Sequence, residues 1–378
     1  MRFALDSDQE QLREVVADFL ESTSSSEHIR KAIDTSPGYD TAVWQRLGQE
    51  LDLLGINLPE RFGGSGSSFV ELAVVLRELG RVVEPGPFFS TIVLAAGALV
   101  ASDDEKAQEA WLPRLASGEC TAALAIAEPG TGTELATLAA TLNTAAREDG
   151  GRWSLTGTKQ LVCHGASADL LVVLASTGDG PALFTVDCDG EGVLRESPVP
   201  FDLTRRLATV TFENAAAELV AEPGRGLDIA GRTLDRAAIA LAGEQVGGAE
   251  RCLQTATEYA KDRVQFGRPI GSFQAIKHML ADVLVEVESA AAAADYATWV
   301  VDNEPEQIPH VASMAKAFAS DTYLLAAKTN IQVHGGIGFT WEHDAHLQFR
   351  RATAGKQFLG SPEEHRERLA AHLLDGRS

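Results

Sequence analysis

Residues 263–274 combine the side-chain types that bind a phosphate-bearing ring compound. Arg263 offers a planar guanidinium with five N–H donors, a geometry that suits phosphate, and Phe266 offers a flat aromatic face. Two glycines and a proline break the helical patterns on either side. The spacing therefore predicts a tight corner between two helices that holds a cation and an aromatic ring. On spacing alone, a helix corner with a surface arginine and a core phenylalanine explains the same residues.

The length and composition predict a globular protein of two or three domains. The chain has 378 residues, of which 45% are hydrophobic and 23% charged, and a chain of this length exceeds one simple core. Aromatic residues make up 6% and alanine is abundant, which favours closely packed helices over a large sheet.

The charge balance excludes some partners. With 32 Lys and Arg against 54 Asp and Glu, the formal net charge is −22, and such a field repels nucleic acids and anionic membranes. We therefore expect no nucleic-acid partner. An anionic ligand has to be met by local positive charge, as at Arg263 or at Arg350 and Arg351.

The sequence predicts a cytoplasmic protein without a membrane span. Residues 1–6 lack the charged and apolar regions of a secretory signal, and no stretch approaches the roughly 18 apolar residues that a span needs. The four cysteines form no CxxC pair, which indicates free thiols in a reducing compartment. The histidines form no HxxxH or HExxH pattern, so no metal site is predicted.

Hydrophobic spacing divides the chain into three predicted domains. Residues 1–122 have helical spacing, interrupted by turns rich in glycine and proline. Residues 123–220 carry short runs of β-forming residues without useful helices between them, which predicts a small antiparallel barrel or sandwich rather than a Rossmann sheet. Residues 221–378 return to helical spacing and predict a four-helix bundle, whose first two helices are joined by residues 263–274.

In this order the motifs resemble the acyl-CoA dehydrogenase family of flavoproteins over nearly the whole chain. The strongest marks are RVQFG at 263–267 with Phe273 and Gln274, and QVHGGIG at 332–338. Further support comes from AEPGTGT at 127–133 and LTGTK at 155–159. The resemblance implies a mainly α fold with a central β domain, FAD as cofactor, and dehydrogenation of an acyl-CoA thioester of a fatty acid or steroid side chain to the 2-enoyl-CoA. It also implies a dimer of dimers and an electron-transfer flavoprotein as electron acceptor.

The resemblance assigns cofactor contacts to single residues. In the family, the R-x-x-F-G, F-Q and Q-x-x-G-G motifs reach the pyrophosphate and adenosine of FAD across a subunit interface. The matching residues here are Arg263, Phe266, Gln274, Gln332 and Gly336. The resemblance also implies that the hydroxyl of Thr133 donates a hydrogen bond to the flavin. Arginine supplies charge and glycine lets the backbone approach a phosphate closely, so these residue types suit the cofactor.

The β-domain half of the flavin site departs from the family pattern. The threonine that begins the family's T-E-P motif is replaced by Ala127, which has no hydroxyl. The tryptophan–isoleucine–threonine segment that backs the flavin ring reads Leu161, Val162 and Cys163. An aliphatic side chain and a weak thiol donor replace an aromatic wall and a hydroxyl. This predicts a looser flavin or a ring pocket supplied by another subunit.

The catalytic base is the larger departure. Removal of the α-proton of an acyl thioester needs a carboxylate within proton-transfer reach. The family usually carries it as the glutamate of a Y-E-G-T segment, and this chain has Leu359 at that position. Some members place it on the first bundle helix, where this chain has Ala237. Neither side chain can take a proton, so the catalytic residue is left unassigned.

Other carboxylates have roles that the sequence favours over catalysis. Glu244 lies about two helical turns, roughly 10 Å, beyond Ala237 and faces a similar way, and a buried ion pair or polar contact explains it better. Asp235 matches a family position that touches the CoA arm, which implies substrate binding. Glu363 and Glu364 follow a proline in the polar tail and are expected to be solvated.

Four functions are compatible with these residues. The first is an FAD-dependent acyl-CoA dehydrogenase with a displaced base. The second is a catalytically silent subunit of a heterotetrameric acyl-CoA dehydrogenase, similar to family members that handle bulky steroid side-chain thioesters, in which a partner chain holds the base. The third is a flavin monooxygenase on the same fold, which needs no such base. The fourth is a flavin-free structural protein.

Overall fold

Helices occupy both ends of the chain in the computed structural model, which describes residues 5–132 and 134–375. Before the first strand lie α1 (Ser7–Thr23), α2 (Ser26–Asp34), α3 (Thr41–Gln49), α4 (Phe69–Val82), α5 (Gly97–Ser102) and α6 (Glu105–Ala116), with a π-helical segment at Phe89–Ala96. The short α7 (Leu135–Thr141) lies among the strands. The last part of the chain forms α8 (Gly226–Asp262), α9 (Gln274–Asn303), α10 (Ile308–His334), α11 (Ala345–Gln357) and α12 (Pro362–Asp375). The predicted order of helices, strands and helices is confirmed.

Local signals in the sequence set several helix ends. The Asp6 carboxylate accepts from the N–H groups of Asp8 at 3.0 Å and Gln9 at 2.9 Å, and the Gln9 side chain accepts from the Asp6 N–H. This capping box starts α1. Helix α10 ends at Gly335, whose φ of 63° and ψ of −137° lie in a region that glycine adopts readily.

The middle of the chain forms a closed β structure. Its strands are β1 (Ala122–Ala125), β2 (Ala145–Asp149), β3 (Arg152–Cys163), β4 (Leu170–Thr177), β5 (Gly180–Asp187), β6 (Val193–Glu196) and β7 (Leu207–Ala221). They pair in the order β1-β4-β2-β3-β7-β5, with β6 on β7, and β4 also pairs with β5. The β4–β5 pairing closes the ring, so the predicted barrel is confirmed. The prediction that the barrel is antiparallel is wrong for two pairings, because β4 runs parallel to β1 and to β2.

The last helices form the predicted bundle. One buried cluster joins four of them, through Cys252 of α8, Val283 and Val287 of α9, Tyr323 of α10 and Ala352 of α11. In α9, residues Val283, Leu284 and Val287 follow helical apolar spacing, yet Leu284 is exposed. The face that α9 buries is therefore narrower than the hydrophobic pattern indicates.

Two compact units emerge from the contacts between residues. The first takes the described residues up to Lys31, Ser68–Glu84, and those from Ala238 onward. The second takes Ala32–Ser67 and Pro85–Ala237. The boundaries at 122 and 220 rest on sequence patterns and stay a prediction, because these units are assembled from separate chain segments.

Within the first unit, α4 and α8 pack with their backbones in direct contact. A Cβ atom on Gly80 would lie 2.0 Å from the carbonyl oxygen of Glu244, and one on Gly247 would lie 1.9 Å from that of Arg77. Real side chains do not approach a backbone so closely, so both positions require glycine. This contact fixes the part of α8 that carries Glu244.

The sequence also leads to expectations about free cysteines, membrane-spanning helices and metal sites. Cys120, Cys163, Cys188 and Cys252 are buried free thiols. Across the described ranges, no helix combines the length and apolarity needed to cross a membrane. In the same part of the chain, no group of three or more metal-binding side chains is gathered.

Candidate functional site

The connection from α8 to α9 is a β-hairpin rather than a simple helix corner. Strand β8 (Val264–Gln265) pairs with β9 (Arg268–Pro269), and a 3-10 turn leads into α9. The Arg263 N–H donates to the Tyr259 carbonyl, and the Ile270 N–H donates to the Arg263 carbonyl, both at 2.8 Å. The hairpin therefore holds the Arg263 backbone at a fixed point where α8 ends, with its side chain exposed.

Phe266 sits at the tip of this hairpin with its ring 92% exposed. Its φ is 53° and that of Gly267 is 78°, the positive values that a tight two-residue hairpin turn requires. Such a φ strains a bulky residue. The alternative of a core phenylalanine is therefore wrong, and the strained backbone that presents this exposed side chain makes the hairpin tip a candidate contact for a ligand or a partner.

The end of α10 provides the second group of predicted residues. Gln332 and Gly336 are exposed. Gly335 needs glycine for its backbone conformation, but Gly336 has no positive φ, and a Cβ there would meet no atom within 4 Å. The chain itself gives no reason for a glycine at 336. The absence of a side chain leaves the backbone at Gly336 open to close approach by a phosphate-bearing ligand.

Stacked rings and an apolar cluster bring these two groups to the same end of the bundle. The rings of Tyr259 and His334 stack with centroids 4.2 Å apart. Beneath them, residues of α8, α9, α10 and the 3-10 turn pack together: Ala256, Ala260, Ile270, Ile276 and Val333. Nδ1 of His334 donates to the Asn330 carbonyl at 2.8 Å, and burial lowers the pKa of His334. A neutral imidazole thus joins the hairpin to the Gln332–Gly336 segment.

Together these exposed groups fit FAD. Arg263 supplies a cation, Gln274 and Gln332 supply amide donors, Phe266 supplies a ring, and Gly336 leaves space for close backbone approach. All five lie in the first unit. The assignment of each side chain to an atom of FAD stays a prediction.

The second unit contains the β-domain motifs. Leu161 has a φ of 57° at a β-bulge and is half-exposed, whereas Val162 and Cys163 are buried. Ala127 is also buried. Thr133, a predicted flavin contact, lies outside the described residues.

A buried ion pair that sequence reasoning missed ties two of these motifs together. The ammonium of Lys159 lies 2.8 Å from the Glu128 carboxylate, which also accepts from the N–H groups of Asn143 at 2.7 Å and Thr144 at 2.8 Å. Burial lowers the pKa of Lys159 to about 8, and these hydrogen bonds hold the pKa of Glu128 below its ordinary value. The pair makes the AEPGTGT and LTGTK motifs one structural element of the barrel.

The turn where the family resemblance predicts the catalytic glutamate is held by hydrogen bonds in this chain and carries Leu359 instead. Leu359 has a φ of 60° and is only 9% exposed, and its carbonyl accepts from Nε2 of His365 at 3.0 Å. The buried amine of Lys316 donates to the carbonyl oxygens of Lys356, at 2.7 Å, and Gly360. Sequence reasoning missed Lys316 and His365, although a lysine inside the alanine-rich run of α10 was an available signal.

The candidate carboxylates are engaged in other contacts or exposed to solvent. Glu244 lies 2.8 Å from Nη1 of Arg351, with both side chains about 95% buried, which agrees with a structural ion pair. Arg351 is therefore not the available cation that the sequence predicts, since its charge is already balanced inside the bundle. The guanidinium of Arg350 lies over the Trp341 ring at 5.2 Å.

The other residues named as candidates for catalysis or substrate binding differ in their exposure to solvent. Ala237 is completely buried on α8. Glu363 and Glu364 are exposed as expected, and Glu364 accepts from the Ser361 N–H at 2.6 Å at the start of α12. Asp235 is buried, and its contact with the CoA arm stays a prediction.

Comparison with known families places the chain in one family over almost its whole length. The acyl-CoA dehydrogenase N-terminal domain matches residues 6–119, the middle domain matches 123–214, and the C-terminal domain matches 224–374. The chain therefore belongs to the acyl-CoA dehydrogenase family, whose members are FAD-dependent oxidoreductases.

Individual relatives agree with this assignment. The chain is 36% identical to the acyl-CoA dehydrogenase IpdE2 of Mycobacterium tuberculosis over 371 residues, which cover 97% of this chain and 98% of that protein. It is similar to a chain of the ChsE4-ChsE5 complex of the same species, with a TM-score of 0.90, 28% identity and full coverage of both chains. Butyryl-CoA dehydrogenase of Megasphaera elsdenii gives a TM-score of 0.90 at 26% identity, covering 99% of this chain and 100% of that one. The function is FAD-dependent acyl-CoA dehydrogenation.

Proposed function

We propose that this chain is the base-lacking half of a two-chain acyl-CoA dehydrogenase. The observation that carries the proposal is Leu359, an aliphatic side chain in the turn where the family holds its glutamate. The turn is fixed by His365 and Lys316, so no neighbouring carboxylate slides into its place. The other family position is filled by the buried Ala237.

The role left to the chain is to hold the cofactor. When bound, FAD accepts the hydride from the β-carbon of the acyl-CoA. Arg263 binds pyrophosphate oxygens through its fork of N–H donors, and Gly336 allows the backbone to approach. Phe266 covers part of the adenosine. These side chains are exposed at one end of the bundle, which supports contact with a cofactor carried largely by another chain.

The second chain of the enzyme supplies what this one lacks. It is an acyl-CoA dehydrogenase-like chain with a glutamate at the base position and an intact flavin-ring pocket. The similarity of this chain to a chain of the ChsE4-ChsE5 complex supports a two-chain assembly. The assembly is a dimer of dimers in the cytoplasm. Its electrons pass to an electron-transfer flavoprotein, and Asp235 contacts the CoA arm if this chain retains a substrate site.

The amount of FAD in the assembled enzyme tests this division of labour. The complex purified from its own cells by a tag on this chain should contain two kinds of chain, resolved by native mass spectrometry, and one FAD for each unlike pair. A homotetramer of this chain with one FAD in every subunit would contradict the proposal. That result would favour a dehydrogenase with a displaced base, or a monooxygenase if reduced flavin reoxidises with substrate hydroxylation.

A further inference from the structure

Three aromatic rings lie in contact at the end of the bundle that carries the predicted FAD contacts. The Tyr259 ring of α8 stacks on the His334 ring of α10, with centroids 4.2 Å apart and planes at 30°. The ring of His343, in the segment before α11, lies 4.2 Å from that of His334, with planes at 45°. We call these three residues the ring cluster. It joins α8, α10 and the start of α11 within the first unit.

The ring cluster is attached to both groups of predicted FAD contacts through short stretches of backbone. The Tyr259 carbonyl accepts from the Arg263 N–H at 2.8 Å. On the other side, His334 is two residues before Gly336, and its Nδ1 donates to the Asn330 carbonyl at 2.8 Å. This hydrogen bond fixes the orientation of the imidazole on the last turn of α10. A shift of one ring against the other therefore changes the separation between Arg263 and the backbone of Gly336.

His343 has a fixed place in the cluster because two other helices hold its segment. Its Nδ1 accepts from the N–H of Ala345, the first residue of α11, at 3.1 Å. The neighbouring Asp344 accepts from Arg30 at 2.6 Å and from the Ser26 hydroxyl at 2.7 Å, both on α2. The ring of His343 is thus supported from α2 and from α11.

A second proton on His343 disrupts this support. Because Nδ1 accepts from a backbone N–H, the neutral ring carries its proton on Nε2, and protonation of Nδ1 removes the hydrogen bond to Ala345. Burial, and then the Arg30 charge, lower the pKa of His343 from 6.5, while the Asp344 carboxylate opposes them. Burial also lowers the pKa of His334, and its contact with His343 adds to that effect. The ring cluster is therefore assembled from neutral imidazoles.

Charged groups surround His343 without pairing with it. Arg30 and Asp344 already form an ion pair with each other. The cavity that His343 lines, about 770 Å³ in volume, is also lined by charged side chains of α1, α4, α8 and its own segment: Glu21, Glu78, Arg81, Arg251 and Glu342. In the described part of the chain, neither His334 nor His343 forms an ion pair with a carboxylate. An imidazolium formed here lacks the partner that would hold it in place.

We propose that Tyr259, His334 and His343 are positioning residues for FAD, because the contact of their three rings sets the separation between Arg263 and the backbone of Gly336. The proposal rests on the assignment of Arg263 and Gly336 to FAD under the proposed function. If FAD binds only chains in which the rings are in contact, the apparent affinity is reduced by the fraction of such chains. Protonation of His343 lowers that fraction, so FAD affinity falls as the pH falls below 6.5.

Fluorescence titration of the assembled enzyme, stripped of its cofactor, with FAD tests the proposal. The titration is repeated between about pH 5.5 and pH 8, the range in which histidine changes charge. We expect the wild-type affinity to fall about three- to tenfold from the upper to the lower end of this range. Unfolding of each FAD-free variant at the upper pH verifies that it is folded.

Two substitutions of His343 separate its ring from its hydrogen bond, and neither new side chain titrates. His343→Phe keeps a ring, so at the upper pH it should bind FAD within about twofold of wild type, and its affinity should no longer depend on pH. His343→Asn keeps an acceptor for the Ala345 N–H without the ring, and should bind FAD several-fold more weakly throughout the range. His28→Asn removes an exposed imidazole on α2 and should keep the wild-type affinity and pH dependence.

Three results would overturn the proposal: a wild-type affinity that does not change with pH, a His343→Phe variant that keeps the wild-type pH dependence, or an affinity that rises as the pH falls. The last would mean that an imidazolium binds the pyrophosphate directly. Arg263→Ala in the same titration separates this inference from the proposed function. Weaker FAD binding in Arg263→Ala, with His343 variants that behave like wild type, would reject the ring cluster alone. Unchanged binding in Arg263→Ala would reject the FAD assignment as well.

Discussion

The carbonyl oxygen of Leu359 accepts a hydrogen bond from Nε2 of His365 at 3.0 Å. On the other side of that imidazole, Nδ1 lies 3.3 Å from the Ser313 hydroxyl. Because a carbonyl oxygen only accepts, Nε2 carries a proton, and Nδ1 is within hydrogen-bonding distance of the Ser313 hydroxyl. Two hydrogen bonds therefore hold the turn that carries Leu359. One comes from His365 to the Leu359 carbonyl, and the other comes from Lys316 of α10 to the Gly360 carbonyl. At the base position that the family resemblance predicts, this chain therefore carries an aliphatic side chain on a well-ordered turn.

Lys316 should make stability depend on pH in a recognisable way. Burial lowers the pKa of its amine to about 7 from 10.5. Between these values the unfolded chain binds the proton more tightly than the folded one, so the free energy of unfolding rises with pH through this window. Lys316→Met removes that contribution, and we expect a slope smaller by up to about 1.4 kcal/mol per pH unit.

Urea unfolding of wild type and Lys316→Met at several values between pH 7 and 10 measures the two slopes. Lys328→Met, on the exposed face of the same helix, is the control and should keep the wild-type slope. Identical slopes in all three proteins would show that Lys316 is not held with a depressed pKa.

Arg263 should govern cofactor retention. Arg263→Ala removes a charged, bidentate donor, and we expect FAD binding by the assembled enzyme to weaken by about 1.5–3 kcal/mol. Fluorescence titration with FAD measures the affinity. Arg147→Ala, on an exposed strand, removes the same charge elsewhere and should leave it unchanged. Equal affinity in both variants would count against the assignment of Arg263.

Two neighbouring glycines should respond in opposite ways to alanine. Gly335→Ala places a Cβ on a residue with φ 63° and ψ −137°, and should cost about 1–3 kcal/mol of stability. Gly336→Ala meets no atom within 4 Å, so unfolding should change by less than about 0.5 kcal/mol while FAD affinity falls. Paired unfolding and FAD titrations separate the effects. Normal FAD binding by Gly336→Ala would mean that nothing enters the open space.

The buried pair of Glu244 and Arg351 should behave as structure rather than as a catalytic group. Glu244→Leu leaves the Arg351 charge buried without this carboxylate, which should cost about 3–5 kcal/mol. The double variant Glu244→Leu with Arg351→Met removes both charges and should recover much of that loss. Denaturant unfolding of both single variants and the double variant measures the coupling. Strictly additive losses would refute the ion pair.

The sequence predicts those features that long patterns determine. The apolar repeats of α8 to α10 are many turns long, so the four-helix core follows from them. Strand β1 reads AALA and β2 reads AARED, which lack the β-branched and aromatic residues that mark a strand. Neither segment therefore predicts a strand, and the parallel pairings with β4 do not follow from the sequence.

Very short strands, and contacts between residues far apart in the chain, could not be predicted from the sequence. The strands of the β8–β9 hairpin have two residues each, too few for any periodicity. The left-handed conformation of Leu359 and the hydrogen bonds of Lys316 and His365 arise from packing between α10, α11 and α12. The Glu244–Arg351 pair joins residues 107 positions apart, which a single sequence does not connect.

The response of the flavin to substrate reveals whether this chain contains a catalytic base of its own. The chain purified alone, supplied with excess FAD and mixed without oxygen with short, branched and steroid side-chain acyl-CoAs, should leave the visible absorbance of oxidised flavin unchanged. The assembled two-chain enzyme under the same conditions should bleach with its substrate. Bleaching by a homomeric, FAD-loaded preparation of this chain would contradict the account, because a base would then have to lie within the chain itself.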